Sequence, residues 1–324
     1  MNAGEKHVLV TGGSGYTGQF VTQHFASLGF KVVYTHYSTA APYAAGDNVD
    51  AKWVNLVTGE GLSECFRDGR QYAAVINTAA MSQPALCERD PVTARSINVP
   101  KALISALRQH YTEPETQPVI IHFSTDQVYD GSKAWWKEDD PCQPVNAYAA
   151  SKLEGERYVQ AQWPKHVILR ASIIIGPQSP VPVSRPLFLQ FIVQQLAEQK
   201  ETTFFTDEFR NPTYVRDIVH ILAKLIAGEK RLHGRTYNMG GPDRLSRLEM
   251  AQTVAEICGY SSEFIIAAPS STVQRPVRSP PDISMDSSRI ETDLDMKLTT
   301  FRAAVKQMHE AGELERPPPK ADGA

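Results

Sequence analysis

Short apolar runs alternate with helix-like segments along the first half of the chain. Six runs are nearly continuous in apolar residues and predict strands: KHVLVT, FKVVYTHY, AKWVNL, YAAVINTAA, QPVIIHFST and KHVILRAS. Intervening segments such as YTGQFVTQHFASLG and DPVTARSINVPKALISALRQHY carry apolar residues at helical spacing. Strands that are apolar on both faces and are followed by helices are typical of a parallel sheet with right-handed crossovers. We therefore predict an α/β fold over residues 5–175, with the doubly wound parallel sheet of a Rossmann domain.

The second half of the chain has a different pattern. The proline-rich stretch GPQSPVPVSRP follows the sixth strand, and helical segments with few strand signals come after it. These segments are RPLFLQFIVQQLAEQ, YVRDIVHILAKLIAG and RLEMAQTVAEICGY. They predict a smaller C-terminal substrate-binding lid over residues 176–312, packed at the open end of the sheet. The polar, proline-rich residues 313–324 predict a disordered tail.

Composition excludes several classes of function. The net charge is −3, from 33 basic and 36 acidic side chains, which does not favour a nucleic-acid or anionic-membrane surface. The four cysteines are widely spaced and predict no metal site. No apolar run approaches the ~20 residues that span a bilayer, and the early first strand leaves no room for a secretory signal. We expect a soluble, cytoplasmic protein without nucleic-acid or membrane partners.

A glycine-rich motif, TGGSGYTG, lies between the first strand and the first helix. Gly12, Gly15 and Gly18 recur at every third position. Glycines at such a turn allow a pyrophosphate to approach the backbone N–H groups at the helix N-terminus. The motif therefore predicts dinucleotide binding, with a ligand-free glycine-rich turn as the alternative.

The end of the second strand bears on the choice of dinucleotide. NAD binding favours an acidic residue there, to bind the ribose 2′-hydroxyl, yet no Asp or Glu occurs from Lys6 to Gly46. Thr35, His36 and Ser38 could instead contact the 2′-phosphate of NADP, although no Arg accompanies them. We favour NADP(H) over NAD(H), and an ordinary histidine without a ligand role remains the alternative for His36.

Two polar motifs follow later strands. FSTDQVYDG places Ser124, Thr125 and Asp126 at the carboxyl end of the fifth strand, where open α/β sheets bind ligands. Tyr148 and Lys152 are four residues apart in NAYAASKLEGER and share one helix face. A nearby ammonium would lower the tyrosine pKa from ~10, so that the phenol could give and recover a proton. Turn chemistry alone could explain the Ser-Thr-Asp motif, and coincidence could explain the Tyr-Lys pair. Because both motifs fall at the same edge of the sheet, together they favour a nicotinamide-dependent reaction.

Taken in order, several motifs resemble those of known families. TGGSGYTG, NTAA at 77–80, the Ser-Thr pair at 124–125 and Tyr-x-x-x-Lys resemble the extended short-chain dehydrogenases/reductases. More narrowly, FSTDQVYDG, NAYAASKLEGE, LRASIIIGP, FRNPTYVRDIV and RPVRSPPDISMDSSR resemble the dTDP-4-dehydrorhamnose reductase family across nearly the whole chain. That family contains NADPH-dependent nucleotide-sugar 4-keto reductases, and also the regulatory β subunit of methionine adenosyltransferase.

The resemblance implies a role for each matching residue. Tyr148 would be the general acid, and Lys152 would lower its pKa and bind the nicotinamide ribose. Thr125 would hydrogen-bond the substrate carbonyl oxygen, and Asn98 would support the site unless it serves only its own helix. The residues expected near the sugar are Ser82, Thr125, Asp126 and Tyr148. Those expected at the cofactor, besides Tyr148 and Lys152, are Gly12, Ser14, Gly15, Tyr16, Thr17, Gly18, His36, Ala79 and Ala80.

Three positions depart from the reductase pattern. Gln127 stands where an aromatic residue is usual, and Ile173 follows Ser172 where a Trp would pack on the sugar. Asn55 occupies a position where many relatives have an Asp near the adenine, and the regulatory subunits also have Asn there. The polar tail of this chain, however, does not resemble their apolar-aromatic C-terminus.

Three hypotheses follow from the resemblance and its departures. The first is NADPH-dependent reduction of a 4-keto group on a nucleotide-activated deoxysugar. The second is a cofactor-binding regulatory partner of methionine adenosyltransferase with little or no catalysis of its own. The third is an NADP-dependent epimerase or reductase acting on an unrelated small carbonyl. A homodimer is compatible with each of them.

Overall fold

The computed structural model describes residues 6–39, 48–228 and 232–314, and strands and helices occur in all three of these ranges. The strands are β1 (His7–Thr11), β2 (Lys31–His36), β3 (Val49–Trp53), β4 (Tyr72–Asn77), β5 (Val119–Thr125), β6 (His166–Ala171), β7 (Ile174–Ile175), β8 (Thr202–Phe205), β9 (Phe209–Arg210), β10 (Thr213–Tyr214), β11 (Arg235–Met239), β12 (Leu245–Ser246) and β13 (Ile265–Ala268). The α-helices are α1 (Tyr16–Ser27), α2 (Leu62–Cys65), α3 (Pro84–Arg89), α4 (Pro91–Asn98), α5 (Lys101–His110), α6 (Ala147–Gln162), α7 (Phe188–Ala197), α8 (Val215–Ala227), α9 (Arg247–Cys258), α10 (Ser288–Leu294) and α11 (Phe301–Glu310).

Seven parallel strands form the central sheet in the order β11-β6-β5-β4-β1-β2-β3. The chain starts in the middle, runs outward to β3, and then crosses over to add β4, β5, β6 and β11 on the other side. Helices cover both faces, so the predicted doubly wound sheet is confirmed. In such a sheet the ligand crevice lies at the carboxyl ends of the strands, on either side of the point where the order reverses.

The strands form where apolar residues can be buried on both faces. In β1, Val8 and Val10 pack into the core under α1 and α8, whereas Leu9 packs into the core on the opposite face. All three side chains are fully buried, because successive residues of a strand point to opposite faces and both faces are covered. This explains why the strands are continuous apolar runs rather than alternating ones.

The segment predicted as one helix before the fifth strand divides into α4 and α5. The break falls at Val99 and Pro100, where Val99 adopts an extended conformation with φ −99° and ψ 108°. A proline lacks the N–H that continues a helix, and it disfavours the helical conformation of the residue before it. The break follows Asn98, the last residue of α4, whose side chain hydrogen-bonds with Met81 in the loop after β4.

The structure departs from the single boundary predicted at residue 175. Strand β11 pairs with β6 as the seventh strand of the central sheet, and α8 packs with Ile218 and Leu222 in the same core as β1. Strand β11 lies at the edge of the sheet and pairs with β6 along one side only. Its segment RTYNM is short and partly polar, so the sequence gives only a weak strand signal there.

The remaining late elements form a second, smaller unit. Its core joins α7, α9 and α11 with β8, through residues such as Ile192, Met250 and Phe301. Leu314 is also packed in this core and Glu313 pairs with Arg216, so the first two residues of the predicted tail are ordered. Residues 315–324, the rest of that prediction, lie outside the described residues. No helix in the described ranges has both the length and the apolar character that crossing a bilayer requires.

Candidate active site

The glycine-rich loop is packed so closely that side chains could not replace Gly12, Gly13 or Gly18 without a shift of their neighbours. A Cβ on Gly12, whose φ is +71°, would lie 2.7 Å from the Cα of Ala79. A Cβ on Gly18 would lie 2.3 Å from the carbonyl oxygen of Gly12, and one on Gly13 would meet the Tyr34 side chain at 2.5 Å. The loop is thereby pressed between the ends of β2 and β4, with its backbone at the sheet edge.

The first turn of α1 is open to an anion. Gly15 is its N-cap, and among the described residues no side chain caps this end or places an acid in the first turn. The early N–H groups of a helix lack intrahelical partners, so those at Tyr16 and Thr17 are available together with the positive end of the helix dipole. This cradle fits the pyrophosphate of a dinucleotide.

The proline-rich segment is held across this end of α1 by two side chains. The Tyr16 hydroxyl donates to the carbonyl oxygen of Pro177 over 2.9 Å. The buried amide of Gln19 donates to the carbonyl oxygens of Ser14 and Val181, and accepts the Val181 N–H over 2.9 Å. Gln19 is a positioning residue that sequence reasoning missed, since a polar residue within a helix gives no sign of being buried.

The predicted 2′-phosphate contacts at the end of β2 are only partly available. The Thr35 hydroxyl is buried and accepts the N–H of Gly12 over 3.1 Å, so it supports the loop. His36 is half-buried, with its Nδ1 2.9 Å from the carbonyl oxygen of Thr39, whereas Ser38 is exposed. Residues 40–47, which follow this turn, lie outside the described residues.

The loop after β4 is tied to helix α6 by Asn98. Its side-chain amide accepts the Met81 N–H over 2.8 Å, and donates to the Met81 carbonyl oxygen and to the Ser151 hydroxyl of α6. Asn98 is buried, whereas Ser82 is exposed beside this loop and Ala80 is partly exposed. Asn98 therefore fixes the loop that carries the predicted cofactor and substrate contacts.

Helix α6 presents the predicted catalytic pair. Asn146 caps its N-terminus by accepting the Ala149 N–H over 2.9 Å, which places Tyr148 in the first turn. Tyr148 is partly buried, and the Thr125 hydroxyl at the end of β5 is near enough to influence the pKa of its phenol. Lys152 is buried one turn later and donates to the carbonyl oxygen of Phe123 over 2.5 Å. The structure thus brings together Thr125, Tyr148 and Lys152.

The pKa of Tyr148 shifts in the direction opposite to our expectation. We predicted that Lys152 would lower it, but burial of the phenol raises the pKa of Tyr148, and the nearby Thr125 hydroxyl opposes the rise. The Lys152 ammonium is directed at a backbone carbonyl, and burial lowers the pKa of Lys152 to about 8, with the Glu156 carboxylate opposing the shift. The predicted direction is therefore wrong, because burial disfavours the charged phenolate.

Asp126 lies beneath the site rather than at its surface. Its side chain is only 4% exposed, accepts the Ser172 hydroxyl over 2.7 Å and is bonded to the Thr125 hydroxyl over 3.0 Å. Burial raises the pKa of Asp126, and the nearby Arg210 guanidinium opposes that shift. The expected direct contact of Asp126 with a sugar is thus not favoured, since both carboxylate oxygens face protein hydroxyls.

A buried ion pair supports α6 from below. The Glu156 carboxylate accepts the Arg170 guanidinium of β6 over 2.7 Å, and both side chains are at most 6% exposed. Ser124 donates to the same carboxylate, and Arg170 also donates to the Tyr129 hydroxyl over 2.9 Å. The sequence showed Glu156 and Arg170 only as two charged residues, with nothing to indicate that they meet.

Two basic side chains, Arg210 of β9 and Arg247 at the start of α9, lie near Asp126. The Arg247 guanidinium lies 4.5 Å from the centroid of the Phe188 ring, and its ion-pair partner Glu208 is 3.9 Å away. Glu208 is held more closely by Arg275, at 2.5 Å. Burial lowers the pKa of Arg247 to about 9, with the neighbouring Arg210 as the second cause. Arg247 remains cationic at neutral pH, and its ion pair with Glu208 is a long one.

The three departures from the reductase pattern have structural roles. Gln127 accepts the side-chain amide of Asn146 over 3.1 Å and so braces the cap of α6. Asn55 accepts the N–H groups of Val57 and Thr58, as in a turn. Ile173 packs against the core of the second unit. At these positions the three side chains support a helix cap, a turn and an apolar core.

Comparison with known proteins places this geometry in context. The model of a protein family described as "RmlD substrate binding domain" matches residues 6–313. The chain is 26% identical over 305 residues to methionine adenosyltransferase 2 subunit beta of Danio rerio, covering 93% of this chain and 89% of that protein. The NADP complex of dTDP-4-dehydrorhamnose reductase from Bacillus anthracis has a TM-score of 0.79 at 17% identity, covering 95% and 99%. A hypothetical dTDP-4-dehydrorhamnose reductase from Sulfolobus tokodaii has a TM-score of 0.74 at 26% identity, covering 91% and 97%.

Proposed function

Because this chain belongs to the RmlD substrate binding domain family, as its motifs predicted, we propose that it is an NADPH-dependent reductase of a 4-keto group on a nucleotide-activated deoxysugar. The single observation that carries this proposal is the cluster of Thr125, Tyr148 and Lys152 at the sheet edge beside the glycine loop. This arrangement joins a proton donor to a dinucleotide cradle, as the reduction of a carbonyl requires.

The cofactor choice rests on the loop after β1 and the end of β2. The uncapped start of α1 suits a pyrophosphate, and no acid occurs from Lys6 to Gly46 to receive a ribose 2′-hydroxyl. The similar reductase from Bacillus anthracis was solved with NADP. When bound, the nicotinamide would supply the hydride, and the residues described here would hold it and manage the proton.

Tyr148 would supply that proton. Its raised pKa keeps the phenol protonated at neutral pH, which suits an acid that donates to an oxygen gaining negative charge. Lys152 is cationic below its pKa of about 8, and it lies one turn further along the same face of α6. The ammonium would therefore help to stabilise the phenolate that remains after transfer.

The decisive test is NADPH oxidation in the presence of dTDP-4-keto-6-deoxy sugars, with NADH in parallel. The proposal expects turnover that is faster with NADPH. A protein that binds NADPH, seen as a concentration-dependent rise in melting temperature, but turns over none of these sugars would refute it.

The arginines beside Asp126 support a nucleotide diphosphate as part of the substrate. We expect Arg247→Gln to weaken dTDP binding by about 10–100-fold, the equivalent of one lost charge-assisted hydrogen bond. Calorimetric titration with dTDP measures this directly. Arg302→Gln is the matched control, because Arg302 lies on α11 of the same unit and pairs with Glu256 at the surface. Equal dTDP affinities for the two variants would contradict the role of Arg247.

A second candidate function rests on the similarity to methionine adenosyltransferase 2 subunit beta. In that case the chain would bind a dinucleotide and a methionine adenosyltransferase with little or no catalysis of its own. Gln127 and Ile173, which stand where the reductases usually have aromatic residues, support this candidate. Co-purification with the synthetase and a change in the synthetase kinetics would favour this candidate, whereas a chain that remains alone would exclude it.

A further inference from the structure

One face of helix α6 is anchored to the chain segment that precedes it, formed by α3, α4 and the loop before them. Three contacts make up this anchor, and their positions on α6 are four and three residues apart, as on one side of a helix. The contacts join Glu88 to Ala147, Asn98 to Ser151, and Arg95 to Glu154. Tyr148 and Lys152 each follow an anchored residue, so the first two contacts lie directly beside the residues of the proposed chemistry.

The contact nearest to Tyr148 places a carboxylate at the N-terminus of α6. Oε2 of Glu88, on α3, accepts the N–H of Ala147 over 2.9 Å. The first turn of α6 has no acidic residue of its own, and its N-cap Asn146 accepts the N–H of Ala149. A carboxylate at this end satisfies an N–H that lacks an intrahelical partner, and it is favoured by the positive end of the helix dipole. Glu88 thus completes the cap of α6 from another helix.

Helix α3 is in turn tied to the loop that carries Ser82. The thiol of Cys87, the residue before Glu88, donates to the carbonyl oxygen of Met81 over 3.2 Å. Cys87 is fully buried, whereas Ser82 is exposed. Glu88 therefore joins the loop that is expected to contact the substrate to the turn that holds Tyr148.

We propose that Glu88 is a positioning residue for Tyr148: its carboxylate fixes the first turn of α6 against the loop of Ser82, so that the phenol and the substrate carbonyl are held at a set separation. The inference rests on the proposed reductase function for its kinetic consequence. Lys152 lies one turn further along α6, beside the separate contact made by Asn98. Loss of the Glu88 contact should therefore slow proton transfer and leave cofactor binding intact.

The kinetic test compares Glu88→Ala with Glu88→Gln in the full chain, by NADPH oxidation with a dTDP-4-keto-6-deoxy sugar. Glu88→Ala should lower kcat about 10-fold, because a small displacement of a reacting group is costly, and should change the Kd of NADPH by less than about twofold. The solvent deuterium isotope effect on kcat should rise in Glu88→Ala, because transfer of the Tyr148 proton becomes slower. Glu88→Gln can still accept the Ala147 N–H through its amide oxygen, so it should recover most of the lost rate.

Glu154→Ala is the matched control. Glu154 is also a carboxylate that links α6 to the preceding segment, through Arg95, but it lies well beyond Tyr148 along the helix. Its kcat should stay within about twofold of the native value, as expected for an exposed ion pair. An equal loss in Glu88→Ala and Glu154→Ala would assign the effect to a general loosening of α6. Either that result or an equal loss in Glu88→Ala and Glu88→Gln would overturn the proposal.

A measurement without cofactor or substrate separates this inference from the proposed function. Hydrogen exchange of the Ala147 amide can be followed in protein labelled with ¹⁵N-alanine, and Ala147→Ser identifies its signal. The amide should be protected in the native chain and in Glu88→Gln, and it should exchange faster in Glu88→Ala. This pattern in a chain that reduces no keto sugar would refute the proposed function and retain the positioning of this turn by Glu88. Exchange in Glu88→Ala that matches the native chain would overturn the inference, whether or not the chain is a reductase.

Discussion

Replacing Tyr148 with phenylalanine is expected to lower the rate of carbonyl reduction by about 10²–10⁴-fold, the range for removing a general acid. The phenol is the one group in the cluster that combines partial exposure with a proton held at neutral pH, since burial raises its pKa. Lys152 is bonded to the carbonyl oxygen of Phe123, and the Thr125 hydroxyl is shared with Asp126. Neither neighbour is placed to supply the missing proton as readily.

Cofactor binding separates this result from a general defect. Tyr148→Phe should retain NADPH affinity within about tenfold, since it removes no more than one hydrogen bond. Tyr158→Phe is the matched control, because Tyr158 lies on the same helix and packs against the apolar core. Its kinetics should remain close to those of the native chain. Near-normal turnover in Tyr148→Phe, measured as NADPH oxidation, would remove this residue from the acid role.

The sheet could be predicted from the sequence because its strands carry their own signal. Runs such as VIIHFST are mostly apolar and are buried along their whole length, as is typical of a strand covered on both faces. Strand β11 was not predicted, because its own residues do not have the apolar pattern of a strand. Thr236 and Asn238 are polar, and what makes RTYNM a strand is the free edge of β6 beside it. Long-range pairing of this kind cannot be read from a local pattern.

The site shows a similar division. Gly12, Tyr148 and Lys152 could be identified because their chemistry depends on local spacing along the chain. The direction of the tyrosine pKa could not, because it depends on how much protein surrounds the phenol, and the surrounding residues come from distant segments. Asp126 was likewise expected near the sugar, whereas in the structure its carboxylate accepts the hydroxyl of Ser172, the residue that follows β6.

The pair of Glu156 and Arg170 illustrates what such distant contacts mean for stability. Arg170 is 5% exposed and Glu156 is 1% exposed, and they meet between α6 and β6. Removing one partner of a buried pair leaves an uncompensated charge away from water. We therefore expect Arg170→Met to lower the free energy of unfolding by about 3–5 kcal/mol, as measured by urea denaturation. Ser124 would remain as a donor to Glu156, but a single hydroxyl cannot replace a guanidinium.

The neighbouring strand supplies a control that distinguishes burial from charge. Arg235 on β11 also pairs with a carboxylate, Asp293, but its side chain is 50% exposed. Arg235→Met should therefore change the free energy of unfolding by no more than about 1 kcal/mol. The double variant Arg170→Met with Glu156→Leu should recover most of the loss, since no buried charge is left unpaired. If Arg170→Met were no more destabilising than Arg235→Met, the ion pair of Arg170 with Glu156 would contribute little to stability. Helix α6, which carries Lys152, would then be held in place by other contacts, such as its N-cap Asn146 and the hydrogen bond from Asn98 to Ser151.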